Sequence, residues 1–237
     1  MERSNLFAQI LHCLGVFILY VAPCLAVLIP IRFFTRLPNF VFRKLLHFVA
    51  FTCTTMMILS ADSWQAAALT AVLIAVVAYP ILAVLENAPW FDRLFLSKSP
   101  GETKRSCLML MFMFAAVITV AWGCFGKPVL AAAAILMWGT GDAAAALVGV
   151  PYGRHKVRSR LTDGKKSWEG SAAMLAVSFL SGMLILYYVQ KLPFPQAVLS
   201  AGLGALLGTV TELVSPSELD TVTVPVVIAA VLLLLNH

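Results

Sequence analysis

The sequence is poor in charge. Only 12% of its 237 residues are Asp, Glu, Lys or Arg, about half of the share usual in soluble domains. That excludes a free-standing soluble domain of ordinary composition, and a 61% hydrophobic content stands in place of the missing polar surface. A cysteine framework is also lacking. Cys13, Cys24, Cys53, Cys107 and Cys124 form no CxxC pair and no metal-ligand spacing. They lie in or beside apolar runs, so they read as small apolar residues rather than disulfides or zinc ligands. There is no low-complexity tract and no visible internal repeat. A secretory leader is not expected either, because the first apolar run is too long and ends in a basic, stop-transfer-like segment.

What is present is a series of long apolar runs from end to end. Eight candidate spans lie at 7–30, 45–60, 64–85, 107–125, 128–150, 170–190, 198–214 and 222–236. The second and last are short for the roughly 20 residues a spanning helix needs. The division between the second and third rests on Asp62 and Ser63 alone. The expected fold is therefore an all-α polytopic membrane protein, seven to eight transmembrane helices in one domain covering residues 1–237. Gly202, Gly204 and Gly208 suit close packing of one span against its neighbours.

The basic residues sort by side. Loop 31–44 carries Arg32, Arg36, Arg43 and Lys44; loop 86–106 carries Arg93, Lys98, Lys104 and Arg105; loop 151–169 carries Arg154, Lys156, Arg158, Arg160, Lys165 and Lys166. Only Arg3, Lys127 and Lys191 fall on the other side. The net charge of +6 thus reports topology rather than a nucleic-acid partner. It predicts a cytoplasmic basic side with both termini outside.

Ionisable residues in or beside spans are functional candidates, and here they share the basic side. Asp142 lies eight residues before the end of the fifth span, about 12 Å below that end at 1.5 Å per residue. Glu169 opens the sixth span, Glu212 lies near the end of the seventh, and Lys44 and His47 start the second. Lys44 and Glu86 read equally well as interfacial residues that snorkel to water. A short Asp side chain cannot do so.

The richest segment runs from Gly139 to Ser171. Gly139 and Gly141 flank Thr140 just before Asp142 and are expected to weaken the helix, letting backbone approach a ligand. Gly149, Pro151 and Gly153 end the helix, six basic residues follow within 13 positions, and Asp163–Gly164 makes a turn. Ser167 is placed to cap the next helix. Lysines beside a helix N-terminus form a cradle for polyphosphate, and Asp142 with Glu169 could hold a Mg²⁺ that bridges the phosphates. The segment 151–169 is thus the expected cytoplasmic nucleotide-binding loop. On the competing reading it is a topogenic loop that binds anionic lipid.

Two apparent motifs fail on context. GTGDAA at 139–144 fits a dinucleotide fingerprint but follows a helical run instead of a strand, and Gly164–Ser167 lacks the upstream glycine of a P-loop.

The block GDAAAALVGVPYGRHK followed by DGKKSWEGS resembles the CTP-dependent lipid-alcohol kinases: dolichol kinase, phytol kinase and CTP-dependent diacylglycerol kinase, which share a superfamily with phosphatidate cytidylyltransferase. RKLLHF at 43–48 resembles the family's Arg-Lys-x-x-His segment, and GETKRS at 101–106 its Gly-Glu loop. Glu212 with DTVTVP at 220–225 resembles its Glu…Asp-Asn-x-x-x-Pro segment, with Thr221 in place of the Asn. The resemblance covers about residues 43–225. It implies a kinase that moves the γ-phosphate of CTP to a membrane-embedded alcohol, either an isoprenoid or diacylglycerol. It implies Asp142, Glu169 and Glu212 as ligands of Mg²⁺, and Gly141, Gly153, Arg154, Lys156, Lys165, Lys166, Ser167 and Gly170 along the nucleotide. Asp142, Lys166, Glu169 and His47 are the implied catalytic set, with His47 and Asp142 rival candidates for the general base. A cytidylyltransferase is the first alternative, though its His-Gly-Gly and Asp-Arg signatures are absent. A transporter is the second. It fits less well, because transporter polar groups spread through the bilayer depth on repeated halves.

Overall fold

The computed structural model describes residues 5–35, 37–88, 91, 101–157, 166–216 and 219–236. Among the described residues eight helices carry the fold: α1 Leu6–Phe34, α2 Asn39–Ser60, α3 Trp64–Leu85, α4 Glu102–Cys124, α5 Pro128–Tyr152, α6 Trp168–Val189, α7 Phe194–Val214 and α8 Asp220–Leu235. No strand occurs among the described residues; one isolated bridge joins Lys156 to Ser167. Seven of the helices are long and apolar enough to cross a membrane, and α8 is a shorter apolar helix of 16 residues. Large apolar side chains such as Phe7, Leu19, Val84, Tyr188 and Leu234 lie exposed along them. Outward-facing apolar helices are what a bilayer solvates and water does not. The chain is an all-α, multi-pass integral membrane protein.

The helices alternate in direction. The start of α1 meets the end of α2 where His12 Nε2 lies 3.3 Å from the Ser60 carbonyl oxygen. The start of α7 meets the end of α8 where Gln196 Nε2 donates to Asn236 Oδ1 at 3.1 Å. The start of α1 and the end of α8 therefore lie at one end of the bundle. The described residues of the three basic loops lie at the other, termed here the basic end. Asp62–Ser63 does divide two helices: Ser63 caps α3 by accepting from the Ala66 N–H.

Several helices begin earlier than their apolar runs. Pro38 precedes Asn39 as the cap of α2, so Arg43 and Lys44 sit inside that helix and bring it to 22 residues, long enough to span. α4 likewise starts at Glu102. Both α4 and α6 finish in a π-helical turn, Thr119–Cys124 and Leu184–Val189.

α5 is the core. Leu130 to Ile135 are fully buried, and four successive alanines let neighbouring helices approach closely. The helix runs unbroken through Gly139 and Gly141, which corrects the expectation of a weakened segment there. Their role is packing. A Cβ on Gly139 would fall 2.0 Å from the Phe51 ring of α2, and one on Gly141 would fall 2.0 Å from Ser178 Oγ of α6. Phe51 fills the space Gly139 leaves and stacks edge-on against Trp138 and Phe114, with ring centroids 4.6 and 5.2 Å away. On α7, Gly204 and Gly208 receive Met137 of α5 and Ile228 of α8 as close-packing glycines should, whereas Gly202 faces open space.

Candidate functional site

A charged cluster lies within the basic end, built from α2, α5, α7, α8 and Lys166, two residues before α6. Asp142 sits ten residues before the end of α5 at Tyr152, about 15 Å in. Lys44 of α2 meets it there, with Nζ 2.8 Å from Oδ1 and 2.6 Å from Oδ2. Both side chains are about a quarter exposed. His47, one turn further along α2 and half-buried, lies within electrostatic reach of the pair, as does Lys166. The two lysines balance a carboxylate held at a depth where an unpaired charge is expensive.

Lys166 is more enclosed, with its side chain 9% exposed. Its ammonium donates to the backbone carbonyls of Glu212 and Ser215 and lies 3.1 Å from Glu212 Oε1 and 3.9 Å from Asp220 Oδ2. Those carbonyls end α7, so Lys166 caps that helix through space and ties it to the start of α8. In this arrangement the ammonium protons are directed at protein acceptors. Glu212 and Asp220 both lie within electrostatic reach of Asp142, which makes the two lysine contacts parts of one cluster. Thr221 donates to Asp220 Oδ1 at 3.4 Å.

Glu169 takes other partners. Its carboxylate lies 2.7 Å from His155 Nδ1 and accepts the His155 backbone N–H. Helix register explains the separation. α5 and α6 run antiparallel, with Gly141 opposite Met174 and Ser178, and Gly149 opposite Ser167 and Gly170. Glu169 is therefore level with the last turns of α5, well over one helical turn nearer the end than Asp142. The structure does not bring Asp142 and Glu169 together as a metal pair. Among the described residues no group of three or more His, Cys, Asp or Glu is close enough to hold a metal ion.

The start of α6 is self-capped. Ser167 Oγ accepts from the Gly170 N–H, the Ser167 carbonyl accepts from the Ser171 N–H, and Trp168 N–H donates to the His155 carbonyl. Val157 N–H donates to the Lys166 carbonyl, so residues 155–157 fold back onto 166–168 as a short bridge. Ser167 is buried against Gly149 and Gly153, and the Gly153 position has no room for a Cβ. Ser167 is the cap expected, and the Trp168, Gly170 and Ser171 amides donate to protein acceptors. Gly141, Gly153 and Gly170 act as contact points between α5 and α6. Arg154 and Lys156 are exposed on the loop's base. Lys165, Arg158, Arg160 and the Asp163–Gly164 turn lie outside the described residues.

Two members of the cluster stood out less from the sequence. Lys44 read equally well as an interfacial residue, and Asp220 appeared only within a resemblance at the far end of the chain. The available signal was their shared side with Asp142.

Beside the cluster lies a cleft of about 220 Å³ between α2, α3 and α4. His47 lines it, so the cleft and the charged cluster meet at that side chain.

The fold and cluster together define a polytopic membrane protein with a charged centre inside one end of its bundle. Over a stretch of 100 residues the chain is 38% identical to phytol kinase from Synechocystis sp.; the stretch covers 42% of this chain and 42% of that protein. No family model matches the chain, and no solved structure matches it.

Proposed function

We propose that this protein is a lipid kinase that transfers the γ-phosphate of CTP to a membrane-embedded alcohol, with an isoprenoid alcohol favoured over diacylglycerol. The observation that carries this reading is the Lys44–Asp142 pair set deep in the bundle beside His47, which itself lines an adjoining cleft. The partial likeness to a phytol kinase supports the same class. Phosphoryl transfer needs positioning and charge neutralisation more than covalent chemistry. In the proposed step the lipid hydroxyl oxygen bonds to the γ-phosphorus, the bond from that phosphorus to the β–γ bridging oxygen breaks, and CDP leaves. The hydroxyl proton passes to Asp142 or His47. Lys44 is the ammonium best placed to exchange its carboxylate partner for a phosphate.

The donor set fits Mg²⁺, which usually takes one or two carboxylates together with substrate phosphates rather than a protein-only cage. Asp142 would hold it together with oxygens of the substrate phosphates, and it would neutralise charge on the transferring phosphoryl group. Glu169 falls to a loop-holding role on this geometry, while Arg154, Lys156 and Lys165 remain proposed contacts of the nucleotide on the 151–169 loop. The basic end is proposed to face the cytoplasm with both termini outside. A cysteine at Arg154 should accordingly react with an impermeant thiol reagent from the cytoplasmic face only.

The test is purified protein in nanodiscs with Mg²⁺, γ-labelled CTP and either a single-chain isoprenoid alcohol or diacylglycerol. Label on the lipid supports the kinase. Label in pyrophosphate points to cytidylyl transfer, and label on neither lipid overturns the assignment.

A further inference from the structure

The cleft between α2, α3 and α4 has a polarity gradient. Nearest the basic end its walls are Arg43, Leu46, Glu102, Thr103 and Ser106; His47 and Leu82 follow, and Ala50, Leu110 and Met111 lie deepest. The gradient follows from sequence spacing. On α4 the lining residues recur three and four apart from Glu102 to Met111, so one helical stripe changes from polar to apolar over nine residues, about 13 Å of rise. On α2, Arg43, Leu46, His47 and Ala50 form the matching stripe. The Arg43–Glu102 ion pair, 2.8 Å long, bridges the two helices at the polar mouth. Below the apolar end, the Phe51, Phe114 and Trp138 rings fill the bundle and form a floor. Most of the lining is half-buried rather than sealed, so the slot is open along its length.

Size selects the occupant. A dry cavity of about 150 Å³ accepts one benzene ring, so a volume of about 220 Å³ takes one hydrocarbon chain end and not two chains side by side. The polar end also shares His47 with the Lys44–Asp142 pair, so a hydroxyl at that end is directed to the charged cluster.

We propose that this cleft is the acceptor slot, holding the hydroxyl-bearing end of a single-chain lipid alcohol with its chain running along Ala50, Leu110 and Met111 towards the bilayer centre. The inference rests on the kinase reading for the fate of the hydroxyl, but occupancy of the slot is measurable without turnover. Cys107 lines the slot, while Cys124 is exposed at the opposite end of α4 and serves as a reference. Full-length protein in nanodiscs is alkylated with N-ethylmaleimide, and the rate at each cysteine is read by peptide mass spectrometry. Phytol at about four times its dissociation constant should slow Cys107 alkylation about fivefold by occupancy and leave Cys124 unchanged. Dioleoylglycerol should protect Cys107 much less. In a second variant, Ala50→Leu, the added side chain should remove phytol protection and raise the KM for the single-chain alcohol about tenfold while leaving the KM for CTP unchanged. No protection by phytol, equal protection by dioleoylglycerol, or an Ala50→Leu protein that is protected like the parent would each overturn the slot. Protection without any phosphoryl transfer would keep the slot and overturn the kinase; transfer to phytol without protection would do the reverse.

Discussion

Two lysines meet carboxylates at the same end of the bundle, and they are held in opposite ways. Lys44 donates to the Asp142 carboxylate, and a quarter of its side chain remains exposed. Lys166 is nearly enclosed, with two backbone carbonyls and a carboxylate around it and a second carboxylate at 3.9 Å. The first contact joins two helices at a site that a ligand can enter. The second fastens the start of α6 to the end of α7 and the beginning of α8. Charge alone does not separate a reactive lysine from a structural one; the number of protein acceptors around the ammonium does. By that measure we propose Lys166, with the stronger sequence signature, as the clamp, and Lys44, which read equally as interfacial and functional, as the better candidate for chemistry.

The largest expected effect is at the Lys44–Asp142 contact. Asp142→Asn should lower turnover at least ~10³-fold, about 4 kcal/mol, with folding and membrane insertion intact by size-exclusion chromatography and thermal unfolding. Activity near wild type would remove Asp142 from the site. Next is Lys166→Ala. Breaking an enclosed pair leaves Glu212 and Asp220 uncompensated, so stability should fall by about 3 kcal/mol, read from denaturant unfolding in detergent. A stable Lys166→Ala protein whose only defect is a ~10²-fold loss of kcat/KM for CTP would erase the distinction and restore Lys166 as a phosphate ligand.

Glu169→Gln should have a smaller effect. It weakens the contact to His155 that holds residues 153–157 against the start of α6, so hydrogen exchange there should quicken several-fold, with turnover reduced about tenfold at most. A loss equal to that of Asp142→Asn, with a shifted Mg²⁺ requirement, would make Glu169 a metal ligand instead. The smallest effect is expected at exposed Arg154, where replacement by Ala should cost about 1 kcal/mol, as for a single charge near an anionic group, visible as a modest rise in the KM for CTP.

Much of the fold was legible because hydropathy and breakers are local properties. The eight spans, the thin boundary at Asp62–Ser63 and the capping role of Ser167 all follow from short windows of sequence. Helix starts were misjudged where charged first turns extend beyond the apolar run, as at Arg43, Lys44 and Glu102. The glycines beside Asp142 were legible as important but not in kind, since whether Gly139 bends a helix or receives a ring depends on Phe51, 88 positions away. The site was least legible where contacts are long-range. Lys44 and Asp142 are 98 residues apart and Lys166 and Ser215 are 49 apart. Sequence proximity favoured Asp142 with Glu169, while antiparallel register places them at different depths.

The central claim is that Lys44 and Asp142 act as one unit at the reacting centre. A double-mutant cycle tests it most directly: Lys44→Met and Asp142→Asn, singly and together, with initial rates of phosphoryl transfer from CTP to a single-chain lipid alcohol and thermal midpoints measured on all four proteins. Residues that act as a unit are strongly non-additive. The account predicts that each single variant loses at least ~10²-fold, that the double variant is no worse than Asp142→Asn within about threefold, and that the midpoints stay close together. Losses that multiply in the double variant, or a Lys44→Met protein with near-normal rates, would contradict it.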